Sequence, residues 1–263
     1  MCAAPVTLTS VGAVARIELA RPEHRNALDA AAKALLGEHL AAVAADATVR
    51  AVVLSGAGPA FCVGQDLGEH AAALADRGAA AFDTVDDDYA PIVRLLTEMP
   101  KPVVAAVHGA CVGAGLGLAL ACDVRVVAAG TRFATAFTGI GLTCDSGLSH
   151  TLVAAVGLAR ARDLVLTGRT FSAEEADRWG LVTELVADEE LGQRALDLAG
   201  RLAAGPTAAY AESKALLLAA ASTDLATALA LESAAQRRLG ATRDHRAAVE
   251  AFLAKERPRF TGS

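Results

Sequence analysis

The stretch that most constrains this chain runs from Lys101 to Val127, KPVVAAVHGACVGAGLGLALACDVRVV, where a β-branched apolar run meets a glycine cluster and then a helical pattern. Val103 to Val107 is short, uncharged and introduced by Pro102, which predicts a strand buried on both faces. Gly109, Gly113, Gly115 and Gly117 follow within nine positions. Residues without Cβ let a backbone pass close to another backbone or to a ligand, so the cluster reads as a sharp turn. A helix beginning near Gly113 would aim its unpaired N–H groups at anything bound there. Leu116, Leu118 and Leu120 alternate with small residues up to Asp123, and Val124 to Val127 resumes a strand.

Two other readings of this stretch fall away. Val103 to Cys122 is 20 residues without an ionised side chain, long enough for a membrane span. It is mostly Gly and Ala, however, and is broken at His108-Gly109, which argues against one. The dinucleotide fingerprint GxGxxG/A fails because Leu118 and Leu120 stand where its final small residue belongs.

A chain of 263 residues, 54% hydrophobic, buries a full core, as one large domain or one domain with an appendage. A net charge of −6 without a Lys/Arg stripe makes nucleic acid an unfavourable partner. Cys2, Cys62, Cys111, Cys122 and Cys144 are odd in number and lack CxxC spacing, which argues against a disulfide framework or a zinc site and suits a reducing cytoplasm. The histidines form no HxxH or HExxH pattern, so no metal is expected. Met1 to Thr9 has neither the basic region nor the apolar core of a signal peptide or anchor. Asp86-Asp87-Asp88 lacks the glycine and spaced ligands of a calcium loop and reads as a solvated helix start.

Along the chain, Val6 to Leu19 alternates around Ser10-Val11-Gly12 as a hairpin does. A Pro-containing loop, Arg21 to Leu28, leads to a helix capped near Asp29 and running to about Ala45. Ala51 to Ser55 is a short buried strand, broken by Gly56-Ala57-Gly58-Pro59 and followed by a second glycine turn, Phe61 to Leu67. Two strands thus each end in a glycine turn and a helix. Side by side, such turns offer converging backbone N–H groups, which is what an oxyanion hole requires. Gly68 to Ala90, Ala-rich and acidic, reads as a mobile cover over a pocket, and Pro91 to Met99 as a helix. Arg132 to Ala136 is a short strand, Ser172 opens a capping box with Glu175, and Leu181 to Val186 is the last strand. From Asp188 onward helices follow one another, broken at Gly205-Pro206 and at Ser222-Thr223-Asp224. Asp145 suits the N-cap of the helix after it. A hydrolase reading of Asp145, Ser146 and His150 lacks a GxSxG elbow.

Together these segments resemble the crotonase (enoyl-CoA hydratase/isomerase) superfamily over nearly the whole chain. Arg21 to Leu28 is similar to its first coenzyme A loop, Phe61 to Leu67 to its first oxyanion turn and His108 to Gly117 to its second. The resemblance implies an α/β fold, a spiral of ββα turns over residues 1–204, with a C-terminal helical oligomerisation region over 205–263. It also implies assembly as a trimer or a dimer of trimers. It places the oxyanion amides at Gln65 and Ala114, and coenzyme A contacts at Arg25, Ala27, Leu28, Asp66 and Leu67. Phe252 and Lys255 would reach the adenine and phosphate from a neighbouring subunit, although Lys255 also suits an ordinary surface lysine. Coenzyme A enters as part of the substrate and no further cofactor is implied.

The departures from the family pattern matter as much. The two glutamates that activate water in its hydratases fall, by position, at Gly117 and Phe137, and neither can move a proton. Asp145 lies in a segment similar to the aspartate loop of ring-1,2-epoxyphenylacetyl-CoA isomerases, except that Thr143-Cys144 stands where a proline usually precedes the aspartate. Among Phe137, Leu142 and Leu148 its carboxylate would be partly desolvated and its pKa raised. The resemblance therefore implies an isomerase in which Asp145 moves a proton and Phe137 and Leu142 line the acyl pocket. The alternatives are a hydratase or lyase using Asp145, and a silent acyl-CoA binder.

Overall fold

A computed structural model describes residues 4–263. Met1 to Ala3, and with them Cys2 and the start of the Met1 to Thr9 reading, lie outside the described residues. β1 (Val6–Val11) and β2 (Val14–Leu19) form the expected antiparallel hairpin. α1 (Ala30–Ala45) follows, its first turn capped by the Asp29 carboxylate, which accepts from the Ala32 N–H at 2.8 Å. Three ββα turns come next: β3 (Ala51–Gly56), β4 (Ala60–Cys62) and α2 (Leu67–Arg77); then, after α3 (Ala90–Glu98), β5 (Val103–Val107), β6 (Ala110–Val112) and α4 (Ala114–Ala121); then β7 (Val124–Ala128), β8 (Arg132–Ala134) and α5 (Leu148–Thr167). β9 (Phe171–Ser172), α6 (Ala173–Arg178), β10 (Glu184–Val186), α7 (Leu191–Ala203), α8 (Thr207–Ala220), α9 (Leu225–Gly240) and α10 (Arg243–Ala254) complete the chain.

Each ββα turn sends its first strand to one sheet and its second to another, so the chain winds as a spiral. The larger sheet has the order β1-β2-β3-β5-β7-β10 and the smaller β4-β6-β8-β9. β3, β5 and β7 are parallel neighbours, as are β4, β6 and β8. The larger sheet is covered on both faces, which is why its central strands carry no polar alternation. Val52, Leu54, Val103 and Ala105 face α1 and α3, while Ala51, Val53, Val104 and Ala106 face Leu191, Ala195, Ala199 and Ala203, spaced four apart along α7.

The 20-residue apolar run of Val103 to Cys122 is therefore two strands and a helix, and among the described residues no helix is long and apolar enough to cross a membrane. Several expectations are corrected. The last strand begins at Glu184, not Leu181, because the Leu181 carbonyl accepts from the Arg125 guanidinium at 2.6 Å instead of joining the ladder. β8 ends at Ala134, before Ala136 adopts a φ of 61°. Asp145 is not an N-cap: Gly147 holds that position at φ 69°, with no side-chain cap. Gly68 to Ala90 folds as most of α2, a 3-10 turn at Gly78–Phe82 and a π turn at Val85–Tyr89, burying Ala81 and Tyr89. The aspartate run lies in that π turn, which runs into α3: Asp86 and Asp87 are exposed as expected, whereas Asp88 turns inward to pair with buried Lys33 at 3.1 Å.

Beyond α7 the helices bury little of themselves in one protomer: α8 has no buried residue, α9 only Ala235 and α10 only Asp244. Asp244 accepts from the Thr261 and Gly262 N–H groups at 2.7 and 2.8 Å, and Arg50 donates to the Phe260 carbonyl at 3.0 Å, so the chain end is drawn back to the core. Asp244→Ala is expected to cost about 2 kcal/mol, the typical worth of hydrogen bonds to a charged acceptor, and to speed proteolytic trimming of residues 256–263. Unchanged trimming would mean that Arg50 and the bonds to Ser263 from Arg243 and the residue-244 N–H suffice to hold the tail.

Candidate active site

The site begins where the turn after β4 meets the start of α4. Leu28 and Gln65 form a parallel bridge in which the Leu28 N–H donates to the Gly64 carbonyl at 2.8 Å and the Asp66 N–H to the Leu28 carbonyl at 3.0 Å. In such a bridge the N–H of Gln65 itself points the other way. Ala114, the first residue of α4, has no intrahelical acceptor for its N–H. Among the described residues neither N–H finds a partner. The two turns abut: a Cβ on Gly64 (φ 87°) would stand 3.1 Å from the Ala114 nitrogen, and one on Gly115 only 2.3 Å from the Cys62 carbonyl oxygen. Side chains at these glycines would drive the turns apart, so the glycine spacing is what brings two free donors together beside a helix N-terminus.

Asp145 is brought up to α4 by Ser146. A Cβ on Gly117 would lie 2.7 Å from the Ser146 Cβ and 2.9 Å from its carbonyl oxygen, so the Asp145-Ser146 segment packs directly on that turn of the helix. The Asp145 Oδ1 accepts from the Ser146 hydroxyl at 2.8 Å. Burial pushes the Asp145 carboxyl above the ordinary carboxylate range, opposed by the Ser146 hydroxyl and the Lys33 charge. Phe137 and Leu148 are buried and Leu142 half-buried against the same core. Ser146 and His150 do not form a catalytic pair: Ser146 is buried and bonds to Asp145, while His150 is exposed on a cavity of about 610 Å³ that opens elsewhere, beside Asp123, Arg125, Lys214 and Leu217. In that cavity burial raises the Asp123 carboxyl, although Lys214, 2.9 Å away, opposes the shift.

Sequence reasoning missed the polar groups behind the oxyanion turn. Lys33 on α1 is only 3% exposed, and its ammonium contacts Thr84, Asp88 and, at 3.4 Å, the Gln65 Oε1. The Tyr89 hydroxyl donates to the same Oε1 at 2.7 Å, and its ring lies 5.3 Å from the Lys33 ammonium. Burial pushes the Tyr89 phenol up, helped by nearby Cys62 and Asp145. The only sequence signal was a lysine among the core positions Ala32, Leu36, Leu40 and Val43. Arg21 was missed too; it donates to the Ala27 carbonyl at 2.6 Å and pairs with Asp29 and Asp66, each at 3.0 Å.

The expected coenzyme A residues divide into two groups. Arg25, Ala27 and Leu28 sit on one loop joined to the oxyanion turn, with Arg25 and Asn26 at positive φ and Asn26 tied to the Ala57 and Ala60 carbonyls. Leu67 is exposed beside them. Asp66 is engaged as the N-cap of α2 and the partner of Arg21. Phe252 and Lys255 lie at the end of α10, Phe252 80% exposed. Among the described residues no group of three His, Cys, Asp or Glu side chains could hold a metal ion.

With this spiral of ββα turns, the chain belongs to the enoyl-CoA hydratase/isomerase family: the family's sequence model matches residues 9–263. Among relatives, it is 43% identical over 249 residues to a probable enoyl-CoA hydratase of Rhodobacter capsulatus, covering 95% of each chain. It is 40% identical over 249 residues to the 1,2-epoxyphenylacetyl-CoA isomerase of Escherichia coli, again 95% of each. Among solved structures, a protein of Mycobacterium abscessus assigned as an enoyl-CoA hydratase/isomerase superposes with a TM-score of 0.95 at 51% identity, over 98% of this chain and all of that one.

Space, and not only residue type, bars a glutamate from position 117. Gly117→Glu is expected to lose about 3 kcal/mol of stability in chemical denaturation through overpacking against Ser146, without gaining hydratase activity. A variant of unchanged stability that adds water to 2-enoyl-CoA would show that Ser146 yields.

Proposed function

We propose that the protein is an acyl-CoA isomerase acting on a thioester carbonyl held by the Gln65 and Ala114 amides, with Asp145 as the proton carrier. The observation that carries this reading is the replacement of both water-activating positions by groups that hold no water: Gly117 abuts Ser146, and Phe137 is a buried ring. Asp145 is the carboxylate packed beside the Gly117 turn of α4, while Asp66 and Asp88 are engaged with Arg21 and Lys33. Two N–H donors on the thioester oxygen stabilise the charge that develops when a C–H bond α or γ to the carbonyl breaks, and one such donor is typically worth about 3 kcal/mol of barrier. The proton passes to Asp145 and the electron pair spreads over the dienolate. Return of the proton to the other carbon moves the double bond, with no water consumed. The E. coli relative's name points the same apparatus towards a ring epoxide, whose rearrangement to an oxepin is what the family resemblance implies. The reaction needs no cofactor beyond the coenzyme A of the substrate.

The Rhodobacter relative's name favours hydration as the second reading. One incubation separates them: 3-enoyl-CoA and 2-enoyl-CoA in deuterated water, products followed by chromatography and mass. Bond migration with deuterium exchange and no added water supports the isomerase. Water addition selects the hydratase, and binding without change selects a silent binder or a ring substrate.

Asp145→Asn is expected to lower the isomerisation rate about 10²- to 10⁴-fold. Because burial raises the Asp145 carboxyl in the fold, the ionised group costs stability as pH rises through its folded value. The variant should therefore melt higher than wild type at pH 7, and the difference should vanish below the ordinary value of 3.8. The wild-type rate should rise with pH through the same raised value, since only the carboxylate accepts a proton.

We further propose that residues 205–263 join subunits into a trimer or a dimer of trimers. Leu217, Leu225 and Leu253 are each at least 75% exposed in one protomer, and α8, α9 and α10 bury almost nothing of themselves, which supports a partner for this region. In such an assembly Phe252 and Lys255 would contact the adenine and phosphate of a neighbour's coenzyme A. Light scattering at the mass of a single chain, 26.7 kDa, would overturn this.

A further inference from the structure

The Gln65 carboxamide is held from two sides. Its Oε1 accepts from the Tyr89 hydroxyl at 2.7 Å and faces the Lys33 ammonium at 3.4 Å. An ammonium has no lone pair to offer, so the amide can turn only its oxygen towards Lys33. Lys33 itself is out of place by packing logic: it projects from the core-facing stripe of α1 and is 3% exposed. A buried ammonium is costly unless surrounding groups compensate it, and here Gln65, Thr84 and Asp88 all do so from elements around the oxyanion turn. Thr84 also donates to Asp88 at 2.6 Å, which closes the network.

The peptide that carries the Gln65 N–H follows Gly64, whose φ of 87° places it in a region that offers little steric restraint. Its carbonyl end is anchored by the Leu28 N–H at 2.8 Å. Beyond the Gln65 Cα the Asp66 N–H donates to the Leu28 carbonyl at 3.0 Å, so the backbone is held on both sides, and the side chain adds an anchor that reaches the turn from α1 and the π turn. We propose that Lys33, seconded by Tyr89, is a positioning residue for the oxyanion hole: it clamps the Gln65 carboxamide and thereby, together with the Leu28 bridge, holds the direction of the Gln65 N–H, without touching the substrate. The same ammonium favours the carboxylate form of Asp145. The inference rests on the oxyanion-hole part of the proposed function and is independent of whether the overall reaction is isomerisation or hydration.

The test reads carbonyl polarisation directly. 4-(Dimethylamino)cinnamoyl-CoA absorbs at longer wavelength when its thioester oxygen accepts hydrogen bonds, because the push-pull chromophore becomes more dipolar. Bound at saturation to Lys33→Met, it is expected to lose at least about half of the wild-type red shift while its affinity changes less than about threefold, the signature of a misaimed donor and not of a lost pocket. With the turnover substrate, kcat should fall about tenfold to a hundredfold at nearly constant KM. Tyr89→Phe, which keeps the ring and its packing, should show a smaller loss of the same kind and carries the test if Lys33→Met does not fold. In a Gln65→Leu background, Lys33→Met should cause no further loss of the red shift. A full wild-type shift in saturated Lys33→Met, or in Tyr89→Phe if only that variant folds, overturns the proposal. A full shift in wild type without bond migration would sink the isomerase reading and leave this one standing.

Discussion

The site depends on one close approach, that of the Cys62-Val63-Gly64 backbone to the first turn of α4. The contact has no room for side chains, since any Cβ at Gly115 would meet the Cys62 carbonyl within 2.3 Å. It is kept in register by the small sheet, where β4, β6 and β8 run parallel and successive windings of the spiral stack on one another. The larger sheet, packed on both faces, gives that stack a rigid back. Two N–H groups that secondary structure leaves unpaired, one because of a bridge and one because of a helix start, thus come to lie beside each other without strain being needed to hold them.

Around this uncharged pair the charges are arranged in depth. Asp145 stands on the open side, packed onto α4 through Ser146, where partial burial favours its protonated form. Lys33 stands behind, buried and balanced by Asp88. A low-dielectric surround strengthens both the donors and the influence of the ammonium, so small displacements of the Gln65 side chain carry a large electrostatic consequence. The chemistry open to the site is decided by space as much as by residue type. Ser146 packed at Gly117 and the buried ring of Phe137 leave no carboxylate at either of those positions, while Asp145 stands beside the same turn of α4.

Much of this was legible in the chain itself. The glycine clusters announce both turns, because only glycine tolerates such approach, and the apolar run of Val103 to Val107 announces a strand covered on two sides. The hairpin, the Asp29 cap, the Ser172 capping box and the breaks between the last helices follow from local rules that depend on neighbours in sequence. Where local rules misled, a distant partner had intervened: Arg125 took the Leu181 carbonyl and shortened a strand, and Lys33 drew Asp88 out of what read as a solvated run. Asp145 looked like a helix cap until the turn at Ser146 and Gly147, both at positive φ, placed it two positions ahead of the actual N-cap, Gly147.

The sequence by itself determined the strands and the two glycine turns, because glycine spacing, strand periodicity and residue type act over short distances along the chain, and its resemblance to the family supplied the spiral and the candidate base. Tertiary structure alone decided what stands behind those turns. Lys33, Gln65 and Tyr89 are separated by 32 and 24 residues. No local pattern links them, since their meeting depends on α1 and the π turn packing against the same face of the spiral. A buried charge is legible only once its partners are in place.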